Sequence, residues 1–227
     1  MGAVADAYAG CRLRIGVLVR GLGAEAASRP VAACPGWSVA DVVSHLAGVV
    51  DDAVHGRLDG VTTAPWTAAQ VEARRGRPLA DVVEEWDEQA PHFESLLDAV
   101  GEAGHQAVTD VVTHEHDLRA ALDAPDARTS DAVGIGVRFV ALHVAEAARS
   151  LGHPLRVEVA GGPAVGPDDA AVVLRGERFE LLRAMTGRRT AAQLRRLAWE
   201  GDPEGVLAAF TYGPFRPPVE PVEGSTD

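Results

Sequence analysis

The stretch SVADVVSHLAGVVDDAV, from Ser38 to Val54, carries a clear helical signal. Valine and leucine side chains recur in it at intervals of three and four residues, the spacing that gives a helix one apolar face. Ser38 precedes the run and Asp41 follows three residues later, a pattern typical of a capping box at a helix N-terminus. We therefore predict a helix over about 38–56, with His45 at the edge of its apolar face.

Comparable periodicity predicts further helices along the first two thirds of the chain. They cover about residues 3–26, 78–100, 105–122 and 129–151. Residues 57–77 contain two glycines and a proline and are interpreted as a looser connection.

The sequence pattern changes after Pro154. Short apolar runs rich in β-branched residues predict strands over 155–161 and 170–176, with a helix over 178–187 between them and the C-terminus. The predicted fold is therefore mainly α: a helical bundle with a small C-terminal α/β domain. The predicted divisions are a bundle over 1–154, an α/β domain over 155–212 and a mobile tail over 213–227.

Composition excludes several classes of protein. The 227 residues are 47% hydrophobic and 24% charged, a balance typical of soluble globular chains. The net charge of −12 repels phosphate backbones, and no run reaches the roughly 18 apolar residues of a membrane span, so neither nucleic acid nor membrane is an expected partner. The two cysteines, Cys11 and Cys34, and an N-terminus unlike a signal peptide predict a cytoplasmic protein, as a monomer or homodimer.

The segment TDVVTHEHDLR, from Thr109 to Arg119, is rich in possible metal ligands. Asp110 and His114 are four residues apart, so their side chains project from the same face of a helix. A carboxylate beside an imidazole at this spacing is a common way to hold a divalent metal. The structural alternative is a hydrogen-bonded pair that only stabilises the helix. His116 lies about 200° around the helix from His114 and is expected to point elsewhere.

His45 completes a possible three-ligand set with Asp110 and His114. Three protein ligands leave a fourth position open, the pattern of catalytic rather than structural zinc, and helix bundles often hold metals this way. For His45 the alternative is a packed, hydrogen-bonded core histidine. We predict that Asp117 accepts a hydrogen bond that orients one of the ligands, whereas a solvated carboxylate is the alternative.

Three blocks of this chain resemble the mycothiol-dependent maleylpyruvate isomerase family, a branch of the DinB-like metal-binding four-helix bundles. The blocks are CPGWSVADVVSHLAG (34–48), DVVTHEHDLRAAL (110–122) and RFELLRAMTGRRTAAQLRRLAWEGDP (178–203). The resemblance implies that His45, Asp110 and His114 bind zinc. It departs from the family at Asp110, where the isomerase has glutamate. Because aspartate is one methylene shorter, the metal would lie closer to that helix or bind more weakly.

The resemblance also implies mycothiol, the cysteinyl sugar thiol of high-GC Gram-positive bacteria, as cosubstrate. All 21 basic residues are arginine, and lysine and asparagine are absent, which indicates a GC-rich genome. Coordination to Zn²⁺ deprotonates a thiol, and a thiolate attacks soft electrophiles such as a conjugated double bond. Expulsion of the thiol after rotation gives cis–trans isomerisation, and a persistent adduct gives thiol transfer.

Several roles stay open from the sequence alone. Arg119, Arg138 and Arg188, the last just after Gly187, are candidates for binding an anionic substrate or the thiol, with surface salt bridges as the alternative. Cys34 is interpreted as a small packing residue at a turn rather than a nucleophile. The leading hypothesis is a metal-dependent, thiol-using enzyme that acts on a small electrophile. The alternatives are a non-catalytic metal- or ligand-binding regulatory protein and a zinc hydrolase.

Overall fold

A computed structural model describes residues 2–223 of the chain. The fold is mainly helical with a small α/β part near the C-terminus, as the sequence predicts, and that part contains a three-stranded sheet. The chain divides into two compact units between Asp126 and Ala127. Within the described residues, every helix is too short or too polar to cross a membrane.

The first unit is a bundle of long helices with two shorter ones added. Its helices are α1 (Ala3–Val19), α2 (Ala24–Ala27), α3 (Val39–Val54), α4 (Ala64–Arg74), α5 (Leu79–Val100) and α6 (His105–Ala121). Helix α3 packs on α5, α5 on α1, α1 on α6 and α6 on α3, so the four long helices close a four-helix bundle. Helix α4 packs on α3.

Aromatic residues occupy the centre of this bundle. The Trp86 indole donates a hydrogen bond to the Tyr8 hydroxyl at 3.1 Å, and the Tyr8 ring meets the Phe93 ring edge-on with centroids 4.9 Å apart. All three side chains are buried, so each polar tip has a partner while the rings supply hydrophobic area to the core.

Helix α3 begins with the predicted capping box. The Ser38 hydroxyl accepts from the Asp41 N–H at 3.2 Å, and the Asp41 carboxylate accepts from the Ser38 N–H at 2.8 Å. Caps of this kind stabilise a helix by about 1 kcal/mol. The start of α3 at Val39 fixes which of its residues face α6.

The prediction of a loose connection over 57–77 was wrong, because this segment contains α4. Pro65 lies in the first turn of α4, where its missing N–H breaks no helical hydrogen bond. Helix α1 in turn ends at Val19, earlier than predicted, where Gly21 and Gly23 lower the helix propensity.

The second unit combines helices with the small sheet. Its elements are α7 (Asp131–Ser150), β1 (Leu155–Val159), β2 (Val172–Gly176), α8 (Arg178–Met185), α9 (Ala191–Arg195) and β3 (Ala198–Glu200). Strands β1 and β2 pair in parallel, with Val157 opposite Leu174, and β2 pairs antiparallel with β3, with Leu174 opposite Trp199. The third strand is a feature that the sequence pattern did not predict.

The observed division of the chain lies before helix α7, whereas the predicted domain boundary lies after it. The sequence placed it in the bundle of residues 1–154, but α7 packs on α8, on β1 and on the short 3₁₀-helix Leu207–Phe210. Its buried apolar face includes Val133 and Val140. Periodicity predicted the helix correctly but carries no information about which elements cover its apolar face.

The predicted mobile tail, 213–227, is anchored as far as Glu223. The Glu223 carboxylate accepts from the fully buried guanidinium groups of Arg183 at 2.7 Å and Arg189 at 2.6 Å. Burial raises the pKa of Glu223, but the two arginines outweigh it and hold that pKa below its usual value. Gly187, at φ +74°, lets the chain pass close to the Arg216 carbonyl, which a Cβ would approach to 2.7 Å. Residues 224–227 lie outside the described part of the chain.

Candidate metal centre

The three side chains predicted as metal ligands lie together. Helix α3 supplies His45, and α6 supplies Asp110 and His114 one turn apart. Asp110 Oδ2 lies 3.4 Å from His45 Nε2, and Asp110 Oδ1 lies 3.7 Å from His114 Nε2. One ligand atom from each of the three side chains falls within 4.8 Å of the others.

These separations suit a bound metal ion. Zn²⁺ binds nitrogen and oxygen at about 2.0–2.2 Å, so two ligand atoms at the tetrahedral angle lie roughly 3.3–3.6 Å apart. The observed distances of 3.4 and 3.7 Å, which go to different oxygens of the Asp110 carboxylate, are close to that range and longer than ordinary hydrogen bonds. Two imidazoles with one carboxylate are also a donor set that first-row divalent metals favour. The residues present therefore fit a metal.

The candidate centre is covered on its histidine side and open at its carboxylate. The side chains of His45 and His114 are 7% and 12% exposed, whereas that of Asp110 is 34% exposed. The Trp37 ring lies beside both imidazoles, with centroid distances of 5.3 Å to His45 and 6.3 Å to His114. A small molecule from solution therefore has access to the Asp110 side of the centre.

Each histidine turns its other ring nitrogen toward a polar partner. His45 Nδ1 lies 2.8 Å from Gln70 Oε1, and His114 Nδ1 lies 3.0 Å from Asp117 Oδ2. An acceptor at Nδ1 favours the tautomer that carries its proton there and leaves the Nε2 lone pair toward Asp110. This arrangement is typical of metal-binding histidines.

A second possible ligand group shares His114. Cys34 Sγ lies 3.5 Å from Asp117 Oδ2 and 3.7 Å from His114 Nδ1. One ligand atom from each of these three side chains also lies within 4.8 Å of the others. In this group, however, His114 and Asp117 already lie at hydrogen-bond distance. The spacing around Asp110 therefore suits an ion better than the spacing around Asp117.

The electrostatic environment at His45 favours a positive charge. Burial lowers the pKa of His45, but attraction to the Asp110 carboxylate and polar contacts with Asp110 and Gln70 outweigh burial and raise that pKa above its usual value. The side chains around the centre thus stabilise a cation next to Asp110, whether a proton or a metal ion supplies it.

Arg119, a predicted thiol or substrate contact, belongs to a separate buried ion-pair cluster. Its Nε and Nη2 donate to Glu115 Oε1 at 3.0 and 2.9 Å, and its Nη1 donates to the Ala124 carbonyl at 3.2 Å. Arg14 of α1 donates to the same carboxylate at 2.8 and 2.7 Å. These contacts favour a structural role for Arg119.

The remaining predicted residues are placed as follows. Arg188 belongs to the second unit, where it is 7% exposed and donates through Nη1 to the Thr186 carbonyl at 2.5 Å. Its role in binding a thiol or substrate stays a prediction. His116 is buried, and among the residues that the structure describes it belongs to neither possible ligand group.

The sequence reasoning missed Gln70, because it missed α4. A signal was present: Thr63 followed by Pro65 is typical of a helix start. A buried glutamine on such a helix is still not recognisable as a partner of His45 without the packing of α4 on α3.

Comparisons with known proteins address the first unit. A family model described as the mycothiol maleylpyruvate isomerase N-terminal domain matches residues 10–116, a little under half of the chain. The matched segment contains His45, Asp110 and His114. A search of curated proteins and a search of solved structures found no match. Residues 10–116 are therefore similar to the mycothiol maleylpyruvate isomerase N-terminal domain family.

Proposed function

We propose that this protein is a zinc-dependent enzyme that activates mycothiol for addition to a small electrophilic substrate, by thiol transfer or thiol-assisted cis–trans isomerisation. The observation that carries the proposal is that one ligand atom from each of His45, Asp110 and His114 lies within 4.8 Å of the others, in a donor set that suits zinc. The similarity of residues 10–116 to the mycothiol maleylpyruvate isomerase N-terminal domain family supports mycothiol as that thiol.

The roles of the side chains follow from their positions. His45 and His114 would each offer Nε2 and Asp110 one carboxylate oxygen, which leaves a fourth position for an exogenous ligand. Zinc at this position would stabilise the thiolate form of a coordinated thiol at neutral pH. Asp117 accepts from His114 Nδ1 and holds the orientation of that ring.

The surroundings of the centre support a small-molecule reaction. Trp37 lies against the histidine side, where its ring excludes water, while the partly exposed Asp110 side admits thiol and electrophile. We further propose a cytoplasmic location, where the free thiols of Cys11 and Cys34 would stay reduced.

A turnover assay tests the proposal. Zinc-loaded protein is incubated with mycothiol and a small conjugated cis-enoate such as maleylpyruvate, and both free thiol and isomer ratio are followed. We expect turnover to require zinc and thiol together, to stop after chelation and to return when zinc is restored. Asp110→Ala serves as the control that lacks a ligand.

Two other outcomes would overturn the proposal in different ways. Turnover that proceeds without thiol would indicate a zinc hydrolase. Zinc binding without turnover of any electrophile tested would favour a metal-binding regulatory protein.

A further inference from the structure

Helix α4 supplies a buried side chain that reaches the candidate metal centre from outside the four-helix bundle. Gln70 is 3% exposed, and its Oε1 lies 2.8 Å from His45 Nδ1. At its other end, Gln70 Nε2 donates to Asp52 Oδ2 at 2.7 Å. A continuous chain of hydrogen bonds therefore runs from Asp52 through Gln70 to His45.

The direction of this chain is set at Asp52. A carboxylate only accepts hydrogen bonds, and Asp52 Oδ1 also accepts from Arg57 Nε at 2.9 Å. The NH₂ end of the Gln70 amide must therefore face Asp52, which leaves the carbonyl end facing His45. A neutral His45 that donates to this carbonyl carries its proton on Nδ1, and its Nε2 lone pair then faces Asp110.

Gln70 fits against helix α3 because residue 48 of that helix is glycine. A Cβ on Gly48 of α3 would lie 2.5 Å from the Gln70 Cβ, so only glycine permits this approach. Glycine inside a helix is destabilising relative to alanine. Arg74 also holds the Gln70 backbone, because its Nη1 donates to the Gln70 carbonyl at 3.1 Å. The close approach of α4 therefore requires glycine at position 48, and this approach brings Gln70 to His45.

We propose that Gln70 is a positioning residue that fixes His45 in the Nδ1–H tautomer, and that Asp52 fixes the orientation of the Gln70 amide. The role assigned to this chain of hydrogen bonds, which is to prepare His45 Nε2 as a metal ligand, rests on the proposed function. The tautomer itself does not, because it is a property of the metal-free protein.

The first test measures the tautomer without metal. Long-range ¹H–¹⁵N NMR of the metal-free protein, at a pH where the imidazole is neutral, distinguishes Nδ1–H from Nε2–H; His45→Ala identifies the signal. We expect Nδ1–H in the wild type. Gln70→Leu should shift His45 to Nε2–H, because Asp110 is then its remaining acceptor. A wild-type Nε2–H tautomer, or no change in Gln70→Leu, would overturn the proposal.

The second test measures zinc affinity by competition with a chromogenic chelator. Gln70→Leu should weaken binding roughly 10–100-fold, the usual cost of losing such a partner. Glu72→Leu, the same replacement at an exposed position of α4, should leave the affinity unchanged. Equal affinities for Gln70→Leu and the wild type would contradict the proposal.

A charge-swapped pair keeps the proposal testable if Gln70→Leu does not fold. Asp52→Asn alone should weaken zinc binding, because it lets the amide of Gln70 flip. When Asp52→Asn is combined with Gln70→Glu, the carboxylate at position 70 accepts from His45 and the amide at position 52 donates to that carboxylate. The zinc affinity should then recover. Failure to recover in a folded double variant would overturn the proposal. A wild type that takes up no zinc would instead refute the proposed function, and the tautomer would still decide the role of Gln70.

Discussion

Helix α6 carries two carboxylate clusters whose charges are balanced in opposite ways. The Glu115 side chain is fully buried and receives four donors from Arg14 and Arg119, at 2.7–3.0 Å. Asp110 is one-third exposed and faces the imidazoles of His45 and His114 at 3.4 and 3.7 Å. The partners of Glu115 lie at hydrogen-bond distance from its carboxylate, whereas the partners of Asp110 lie farther away.

The difference lies in the partner side chains. A guanidinium is always charged, so the Glu115 cluster is neutralised by the chain itself. Burial raises the pKa of Glu115, but the hydrogen bonds from Arg14 and Arg119 outweigh burial and lower it. An imidazole is charged only when it is protonated, so the Asp110 carboxylate is balanced only when a proton or another cation is bound beside it. The comparison teaches that carboxylate burial alone does not identify a metal site; the nature of the partners does.

The strongest test of this contrast removes a histidine from the Asp110 cluster. We expect the wild type to hold about one zinc ion per chain. His114→Ala should reduce zinc to background while circular dichroism remains helical, because the aromatic core does not involve this side chain. Elemental analysis of the purified variants is the measurement.

The matched control for that experiment is His116→Ala on the same helix. His116 is buried, so the variant should melt at a lower temperature, yet it should keep its zinc. Equal zinc in the wild type and His114→Ala would place the metal elsewhere.

The second test removes the carboxylate of the Glu115 cluster. Glu115→Ala leaves Arg119 buried without its main partner, and breaking a buried pair in this way costs about 3–5 kcal/mol of unfolding free energy. Asp110→Ala, compared in the same metal-free buffer, should cost less than about 1 kcal/mol, because its ion pairs are longer and partly solvated. Urea denaturation measures both, and similar costs would remove the distinction between the clusters.

The third test concerns Asp117, which is 1% exposed and accepts from His114 Nδ1. Asp117→Asn keeps the size of the side chain but weakens its hydrogen bond with the His114 ring, so zinc affinity should fall roughly 10–100-fold. Asp123→Asn, an exposed position beyond the end of α6, is the control. A competition titration that finds the same affinity in both variants would contradict an orienting role for Asp117.

The sequence could predict the part of this site that lies on one helix. Asp110 and His114 are four residues apart on α6, so helical geometry alone puts them side by side. His45 comes from α3, and periodicity places it only at the edge of an apolar face. Its pairing with α6 followed from the combined donor set and the family resemblance, not from local pattern.

The parts that escaped prediction depend on packing between elements. Gln70 lies on a helix most of whose residues are exposed, and its partner His45 is 25 residues away. Helix α7 is correctly periodic, but its apolar face is covered by elements that follow it in the chain. Hydrophobic spacing defines a face to be buried and leaves open which partner buries it.

The last and smallest expected effect concerns the two cysteines, one of which lies beside each cluster. Cys11 Sγ accepts from Arg14 Nη2 at 3.2 Å beside Glu115, and burial, followed by the Glu115 charge, raises the pKa of its thiol. Cys34 lies beside Asp117 and His114 Nδ1 and belongs to the second possible ligand group. If zinc occupies the Asp110 cluster, Cys34 is outside its coordination sphere.

Cys34→Ser should then change zinc affinity by less than the roughly 10-fold that a lost orienting partner costs, because the serine hydroxyl can still donate to Asp117. Cys11→Ser should leave zinc affinity unchanged. Cobalt-substituted protein without added thiol should lack a thiolate-to-metal absorption band. Loss of zinc in Cys34→Ser together with such a band in the wild type would move the metal to the Cys34, His114 and Asp117 group, because a thiolate ligand contributes strongly to zinc affinity. His114 would then bind through Nδ1, and Asp110 would be left as the partner of the opposite ring nitrogen.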